Sequence, residues 1–221
     1  MIAKDLIADS IPIVKTSDTG NQTLSLMEIH KVSHLPIVNK EEFIGLISDS
    51  DIYNNNCEGE VLANCNLSCI RPFVYEGQHI FEIIDIVAKL ELSIIPVLNK
   101  KNKYLGTITL QKLIKAFSEM ISVEKAGSII ILDMTIHDYS LTEIANIVES
   151  NNAKILSSYV SSSDNTTKIN VTLKIDTTDI TSVIQSLERF DYKIQASFLS
   201  ESILKNFYTD RYDAFINYLN I

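Results

Sequence analysis

The alternation of hydrophobic and polar positions forms one pattern that occurs twice in the first half of the chain. A short apolar run at Pro36 is followed by an Asn-Lys turn, a second apolar run around Gly45, and a segment with apolar residues at helical spacing. The same order returns over 93–114, with Pro96 and Gly106 in the corresponding places. The runs predict strands and the periodic segments predict helices. A repeat of about sixty residues that keeps this order indicates a duplicated fold unit.

The segments in front of each repeated core have their own pattern. Apolar runs predict a leading strand before each copy, and apolar residues at helical spacing predict a helix after each leading strand. The predicted strands cover 11–14 and 70–74, and the predicted helices cover 23–32 and 79–92.

Both repeats place a hydroxyl residue where a helix is predicted to begin. Ser48 and Thr109 are residue types that favour the N-cap position. A helix start with free backbone N–H groups favours an anion such as phosphate. Asp51 lies one turn into the first of these helices, where a carboxylate can accept hydrogen bonds from a sugar diol.

These residues resemble the CBS-domain family, in which two tandem copies form a Bateman module. The pattern that carries the resemblance is an apolar-Pro strand, followed by Gly-apolar-apolar-Ser/Thr-x-x-Asp. The segment 45–51 fits it fully, whereas 106–112 has Lys112 in place of the final Asp. The resemblance implies a regulatory module that binds AMP, ATP or S-adenosylmethionine, with the hydroxyl on phosphate and the Asp on ribose. It therefore assigns Ser48 and Asp51 to one ligand site.

The remaining predicted ligand residues come from both repeats. His34 precedes Leu35-Pro36, where related modules place a basic residue that faces phosphate. Because the two repeats are expected to pack as a pseudo-twofold pair, the second repeat should complete the site of the first. The predicted ligand-binding residues are Ser48, Asp51, His34, Leu92, Ser93, Ile70, Arg71, Pro72 and Thr109. A helix cap and a first-turn acid account equally well for Ser48 and Asp51, and Arg71 alternatively faces water.

The second half of the chain changes to a βαββαβ order, which predicts a ferredoxin-like domain. Its predicted elements are a strand over 129–134, a helix from Ser140, strands over 155–161 and 168–175, a helix over 180–190, and a strand over 193–198. This domain resembles the ACT domain, in which a Gly lies just before the first helix. Tyr139 occupies that position here, so the expected fold is ACT-like without the amino-acid site. The two-module layout is similar to that of acetoin-utilisation regulators.

The predicted fold class is α+β, and the last part of the chain predicts assembly. The predicted domains are 1–125 for the tandem pair, with copies at about 1–62 and 63–125, 126–200 for the ACT-like domain, and 201–221 for a C-terminal helix. Phe207, Phe215 and Leu219 give that helix a large apolar load, which must dock on its own chain or on a partner. We therefore expect a homodimer.

Composition narrows the classes of partner. The net charge of −9 argues against binding to nucleic acid or to an anionic membrane, because both favour a basic surface. No apolar run approaches a membrane span, and the first residues lack a signal-peptide pattern, so a cytoplasmic protein is expected. The three cysteines match no zinc spacing, and reduced thiols are the expectation for that compartment.

The sequence also gives little support to a catalytic site. Ser48, His34 and Asp51 include the residue types of a hydrolase triad, but the G-x-S-x-G elbow is missing. Asp49 and Asp51 lack further residues at ligand spacing, so no metal site is expected. The prediction is a non-enzymatic regulator of an unidentified protein. The alternative is a ligand-free homodimeric scaffold with degenerate CBS and ACT pockets.

Overall fold

The computed structural model describes residues 1–8, 10–65, 71–162 and 167–200. The chain divides into two compact units, Met1–Phe117 and Ser118–Ile221. The domain boundaries proposed from the sequence remain predictions, and the predicted helix over 201–221 lies outside the described residues.

The N-terminal unit contains both repeats. Its helices are α1 (Gly20–His30), α2 (Asp49–Asn54), α3 (Ile80–Lys89) and α4 (Leu110–Met120), the last of which extends past Phe117. Its strands are β1 (His34–Asn39), β2 (Glu42–Ser48), β3 (Val74–Tyr75), β4 (Ile94–Leu98) and β5 (Tyr104–Thr109). Two short 3-10 turns lie at Ala3–Leu6 and Leu62–Asn64. β1 and β2 form an antiparallel pair, and β3, β4 and β5 form a second sheet in that order.

The two repeats have the same strand geometry. Both hairpins are antiparallel, and each has a register shift at the same place, between Ile37 and Val38 in β1 and between Val97 and Leu98 in β4. The strand predicted to lead each repeat is shorter than expected. In repeat 2 it is the two-residue β3, parallel to β4, and in repeat 1 it is a single parallel bridge from Val14 to Ile37.

Helix α1 begins earlier than the apolar spacing predicts. The predicted start at Thr23 is wrong, because Thr19 and Gln22 form a capping box in front of it. Thr19 Oγ1 accepts from the Gln22 N–H at 3.3 Å, and the Thr19 N–H donates to Gln22 Oε1 at 2.9 Å. The reciprocal bonds satisfy two backbone donors of the first turn, which fixes the helix start.

The first eight residues pack on repeat 2. The Ala3 N–H donates to the Gln78 carbonyl at 2.9 Å, and the Ala8 N–H donates to the Thr107 carbonyl at 2.8 Å. Gly106 lies under this segment, and a Cβ atom there would clash with the side chain of Ile7. The glycine in the second hairpin therefore has a packing reason that its place in the repeat alone does not reveal.

A disulfide joins Cys57 to Cys65 in the segment that follows α2. The expectation of reduced thiols is wrong for this pair in the structure. The turn after α2 brings the two Cα atoms to 6.0 Å, within the usual range for a disulfide. Cys69 lies outside the described residues.

The C-terminal unit has the predicted βαββαβ order. Its elements are β6 (Gly127–Thr135), α5 (Leu141–Ser150), β7 (Ile155–Ser162), β8 (Lys168–Ile175), α6 (Thr181–Arg189) and β9 (Lys193–Ser200). The sheet is antiparallel in the order β7-β8-β6-β9, which is the ferredoxin-like arrangement. One face of this sheet packs with α5 and α6 around Ile130, Val171 and Val183, all buried. The predicted α+β fold class is confirmed.

The other face of this sheet is less exposed than its polar residues suggest. Thr172 and Lys174 alternate with the core residues of β8, yet they are only 6% and 8% exposed. On the same face, Ser157 Oγ donates to the Ile121 carbonyl at 2.8 Å, so the chain after α4 covers part of it. No helix in the described ranges is long and apolar enough to cross a membrane.

Candidate functional site

Side chains from both repeats meet at His34, the first residue of β1. His34 Nδ1 lies 3.0 Å from Ser93 Oγ, and the Ser33 N–H donates to the same hydroxyl at 3.1 Å. His34 is also the register partner of Ser48 on β2. The predicted residues His34, Ser48 and Ser93 are therefore close together, and with Asp51 they form what we call the His34 cluster.

The hydrogen bonds of His34 identify its tautomer. The Ser93 N–H lies 3.4 Å from Nδ1, and because it can only donate, Nδ1 is the acceptor. The neutral ring therefore carries its proton on Nε2, which remains a donor. Burial lowers the pKa of His34, and the nearby charges of Asp49 and Asp51 partly oppose that shift. The neutral form is thus favoured even beside two carboxylates.

Ser48 and Asp51 form a reciprocal capping box at the start of α2. Ser48 Oγ accepts from the Asp51 N–H at 3.0 Å, and Asp51 Oδ2 accepts from the Ser48 N–H at 2.9 Å. Ser48 Oγ also lies 2.7 Å from Asp51 Oδ2. The structure therefore shows Ser48 and Asp51 as a helix cap. The cap uses Oδ2 of Asp51, and the carboxylate has a second oxygen, so capping and ligand binding are compatible.

An apolar groove adjoins the His34 cluster within the N-terminal unit. Its cavity volume is about 520 Å³, inside the usual range of small-molecule sites. Ser33, His34, Leu92 and Ser93 line one part of it. The apolar remainder comes from α3 and α4, through Ile84, Val87, Ala88, Leu110, Leu113, Ile114 and Phe117. Leu92 is thus the fifth predicted residue that lies at this place.

Other predicted residues lie elsewhere. Arg71 Nη2 donates to the Phe43 carbonyl at 2.7 Å, at the end of β2 opposite Ser48. The five residue-to-residue steps from Phe43 to Ser48 span about 16 Å in an extended strand. The structure therefore does not bring Arg71 to the His34 cluster, and the adjacent Pro72 is half-buried. Ile70 lies outside the described residues.

Thr109 caps the helix of the other repeat. Its Oγ1 accepts from the Lys112 N–H at 3.1 Å, as Ser48 accepts from Asp51. A lysine ammonium has no acceptor, so the reciprocal half of the capping box cannot form there. Ile94 pairs with Thr109 and is fully buried, which leaves repeat 2 without a counterpart of His34.

The C-terminal unit has a larger cleft of about 1040 Å³ between the ends of its strands and α5. Tyr192 lies in this cleft, and its hydroxyl donates to Glu143 at 3.2 Å. Burial, with Glu143 beside it, raises the pKa of Tyr192. Tyr139 packs against the hydrophobic core instead of lining the cleft. No group of three or more His, Cys, Asp or Glu side chains among the described residues is arranged to hold a metal ion.

Two segments of the chain match a known protein family. Residues 3–55 and 69–119 match the family model described as CBS domain. A CBS domain pair/ACT domain protein from Thermotoga maritima is 19% identical, with a TM-score of 0.48, over 54% of this chain and 98% of that chain. CBSX2, a protein of Arabidopsis thaliana, solved in complex with AMP, is 18% identical, with a TM-score of 0.47, over 53% and 96%. The CBS domain of a bacterial CNNM/CorC family Mg²⁺ transporter in complex with ATP is 14% identical, with a TM-score of 0.42, over 52% and 85%.

Proposed function

From the premise that residues 3–55 and 69–119 form a tandem pair of CBS domains, we propose that this chain is a regulatory protein that senses an adenosine-type ligand. The ligand binds at the His34 cluster, and its occupancy is transmitted to a regulated protein. The chain acts as a sensor and carries out no reaction of its own.

The observation that carries the proposal is the meeting of both repeats at His34. Ser93 of repeat 2 holds Nδ1 of His34, so Nε2–H is oriented as a hydrogen-bond donor. In the proposed complex the Nε2–H group donates to the phosphate, and the Ser48 hydroxyl turns from Asp51 Oδ2 to donate to the phosphate as well. Asp51 Oδ1 accepts from the ribose diol. A ligand held in this way contacts residues whose positions depend on how the repeats pack. Its binding therefore favours one arrangement of the pair, as a regulatory ligand must.

The groove supplies the apolar part of the proposed site. An adenine ring has two apolar faces, and α3 and α4 present aliphatic and aromatic side chains beside Leu92 and Ser93. Leu92 is 2% exposed and fixes the wall nearest to the cluster. Polar groups at one end and an apolar groove at the other are the combination that small-molecule sites use for orientation and affinity.

Asp51 gives the sharpest test of the site. Calorimetric titration with AMP, ATP and S-adenosylmethionine should identify one ligand, and Asp51→Ala should weaken its binding by about tenfold to over a hundredfold. That factor corresponds to about 1.5–3 kcal/mol, the contribution of hydrogen bonds to a charged group. Asp49→Ala is the matched control, because it removes the same charge next to the site. The Asp49 carboxylate bonds to Ser50, so the control should leave affinity within a few fold.

The stoichiometry belongs to the same experiment. We expect one adenosine site per chain, because Lys112 stands in the place of the ribose-binding acid in repeat 2. Equal affinity in wild type and Asp51→Ala would refute the assignment of the site, and two equivalent sites would refute the asymmetry between the repeats.

A second candidate is a ligand-free scaffold that forms a homodimer. It is favoured by the face of α4 that carries Leu110, Ile114 and Phe117, which are 42%, 59% and 38% exposed. These residues recur at helical spacing and form an apolar stripe that a second copy of the chain would bury. The C-terminal unit, which has a ferredoxin-like topology, is proposed to support the same dimer.

Light scattering tests the dimer, and nucleotide titration of the same protein separates the two candidates. Wild type should have a mass near twice the 24.8 kDa of one chain, and Ile114→Asp should shift it toward the monomer. A wild-type mass near 24.8 kDa that does not change with concentration would contradict the dimer. A dimer that binds none of the three nucleotides would favour the scaffold.

A further inference from the structure

Cys57 and Cys65 bracket a segment that lies across the start of α1. The Gly20 N–H donates to the Glu60 carbonyl at 3.0 Å, and the Asn21 N–H donates to the Glu58 carbonyl at 2.7 Å. A Cβ atom at position 20 would clash with the Cys57 carbonyl. These backbone contacts involve neither sulfur atom, so we expect the segment to stay against α1 when the disulfide is reduced.

We propose that Cys57 and Cys65 form a reversible thiol–disulfide site that exchanges with low-molecular-weight thiols of the glutathione class. The Cα atoms are 6.0 Å apart across a separation of eight residues, which needs little backbone movement to open or close the bond. The site is independent of the proposed nucleotide binding.

The two sulfurs differ in access. Cys57 is 4% exposed and belongs to the hydrophobic core of repeat 1, whereas Cys65 is half-buried at its edge. An external thiol therefore reaches Cys65 first, because exchange requires direct contact between the attacking and attacked sulfurs. The reduced form is also accommodated. Cys65 Sγ lies 3.5 Å from the Val61 carbonyl oxygen, to which a thiol at this position donates a weak hydrogen bond.

The thiol–disulfide exchange proceeds in two steps. In oxidation, the Cys65 thiolate attacks one sulfur of an oxidised low-molecular-weight disulfide and releases the first small thiolate. A mixed disulfide is left on Cys65. Cys57 then loses its proton and attacks Cys65 Sγ, so the second small thiolate leaves and the protein disulfide forms. The two protein thiols lose two electrons, the small disulfide gains them, and the two protons end on the released thiols.

Closing this bond constrains the unfolded chain more than the folded one. In the folded state the segment is already held by backbone bonds to α1, whereas in the unfolded chain the disulfide removes loop entropy. Oxidation should therefore raise the melting temperature of the N-terminal unit by about 5–10 °C, and it should leave the secondary structure unchanged.

Redox titration of the full chain tests the proposal directly. The protein is equilibrated in glutathione buffers of increasing oxidising strength, trapped with an alkylating reagent, and digested with a protease that cleaves after glutamate. Glu58 and Glu60 separate Cys57 from Cys65, so a bridge between them leaves two joined peptides. We expect one two-electron transition and a higher melting temperature for the oxidised form.

Cys69→Ser is the matched control, because it removes the third cysteine and leaves the pair intact. The same transition and the same bridge should be found in this variant. Absence of a Cys57–Cys65 bridge across the whole range of buffers would overturn the proposal. So would a bridge found only with Cys69 or only between chains. All of these readouts use wild-type cysteines 57 and 65, so they do not depend on whether substitutions there fold.

Discussion

The two repeats share a backbone but differ in the side chains that meet at their centre. Lys31 and Glu91 lie just after the helices that precede the hairpins, and both have a left-handed backbone, with φ of 55° and 51°. After each hairpin, a backbone N–H returns to a serine carbonyl, from Asp49 to Ser33 at 3.1 Å and from Leu110 to Ser93 at 3.0 Å. The repeat is therefore conserved in its main-chain bonds, so the side chains at equivalent positions can diverge.

The divergence includes two positions of the proposed ligand site. Where repeat 1 has His34, repeat 2 has the fully buried Ile94, and where repeat 1 has Asp51, repeat 2 has Lys112. The first pair replaces a hydrogen-bonding ring by a core residue, and the second reverses a charge. The same backbone therefore carries a polar cluster in repeat 1. At the equivalent positions repeat 2 has one apolar and one basic residue.

The helix starts differ for a packing reason. Gly20 begins α1 and Ile80 begins α3, both directly after a capping residue. The segment that contains Cys57 crosses α1 at this point and leaves no room for a side chain. In repeat 2 the equivalent place is filled by Ile80, which is fully buried. We expect the largest effect on stability from a substitution that shortens the Ile80 side chain.

Ile80→Ala should destabilise the N-terminal unit by about 2–5 kcal/mol, because it removes buried methylene groups and leaves a cavity. Chemical denaturation with urea measures this loss. The equivalent change in repeat 1, Gly20→Ala, adds a methyl group where there is no room, and overpacking of this kind costs about 1–3 kcal/mol.

Phe81→Ala is the control for the first change, because Phe81 is the next residue of α3 and is 57% exposed. It should alter the unfolding midpoint far less than Ile80→Ala. If Gly20→Ala left the free energy of unfolding unchanged or increased it, the inference that α1 has no room for a side chain at its start would be wrong.

The smallest expected effect concerns pH. The pKa of His34 in the folded protein is lowered from its usual value near 6.5, chiefly by burial. The unfolded chain therefore binds a proton more readily than the folded chain, and stability falls as pH drops below about 6.5 toward the lowered folded value. His34→Ile makes repeat 1 resemble repeat 2 at this position and should remove this part of the pH dependence.

Urea midpoints at about pH 5 and about pH 8 measure the effect, because the two values lie on either side of the usual histidine pKa. Wild type should lose more stability than His34→Ile on going to the lower pH. An equal loss in both proteins would mean that His34 does not titrate differently in the folded and unfolded states.

The fold was predictable to the extent that it depends on local pattern. The return strands of both repeats and the strands β6 and β8 follow from apolar runs and alternation, as in Ile169, Val171 and Leu173. The start of α1 was missed because a capping box with Gln22 outweighed the apolar spacing. The pairing of Cys57 with Cys65 was missed because it depends on the path of the chain after α2.

The candidate site was predictable only where the repeat itself pointed to it. Ser48 and Asp51 come from a motif, and His34 comes from its place before Pro36, and the structure brings all three close to Ser93. The distance of Arg71 from this cluster depends on the tertiary bond to the Phe43 carbonyl, for which the sequence contains no signal. The apolar groove is a property of two helices from repeat 2, so no single stretch of sequence shows it.

The first eight residues have a consequence for how the chain folds during synthesis. The Ala8 N–H pairs with the Thr107 carbonyl, which leaves the ribosome about one hundred residues later. Repeat 1 can therefore condense early, while the segment that precedes it must wait until the second hairpin has been made. The two repeats therefore do not fold independently of each other. Residues 1–8 pair with the second hairpin, and this pairing is a long-range contact of the kind that slows folding.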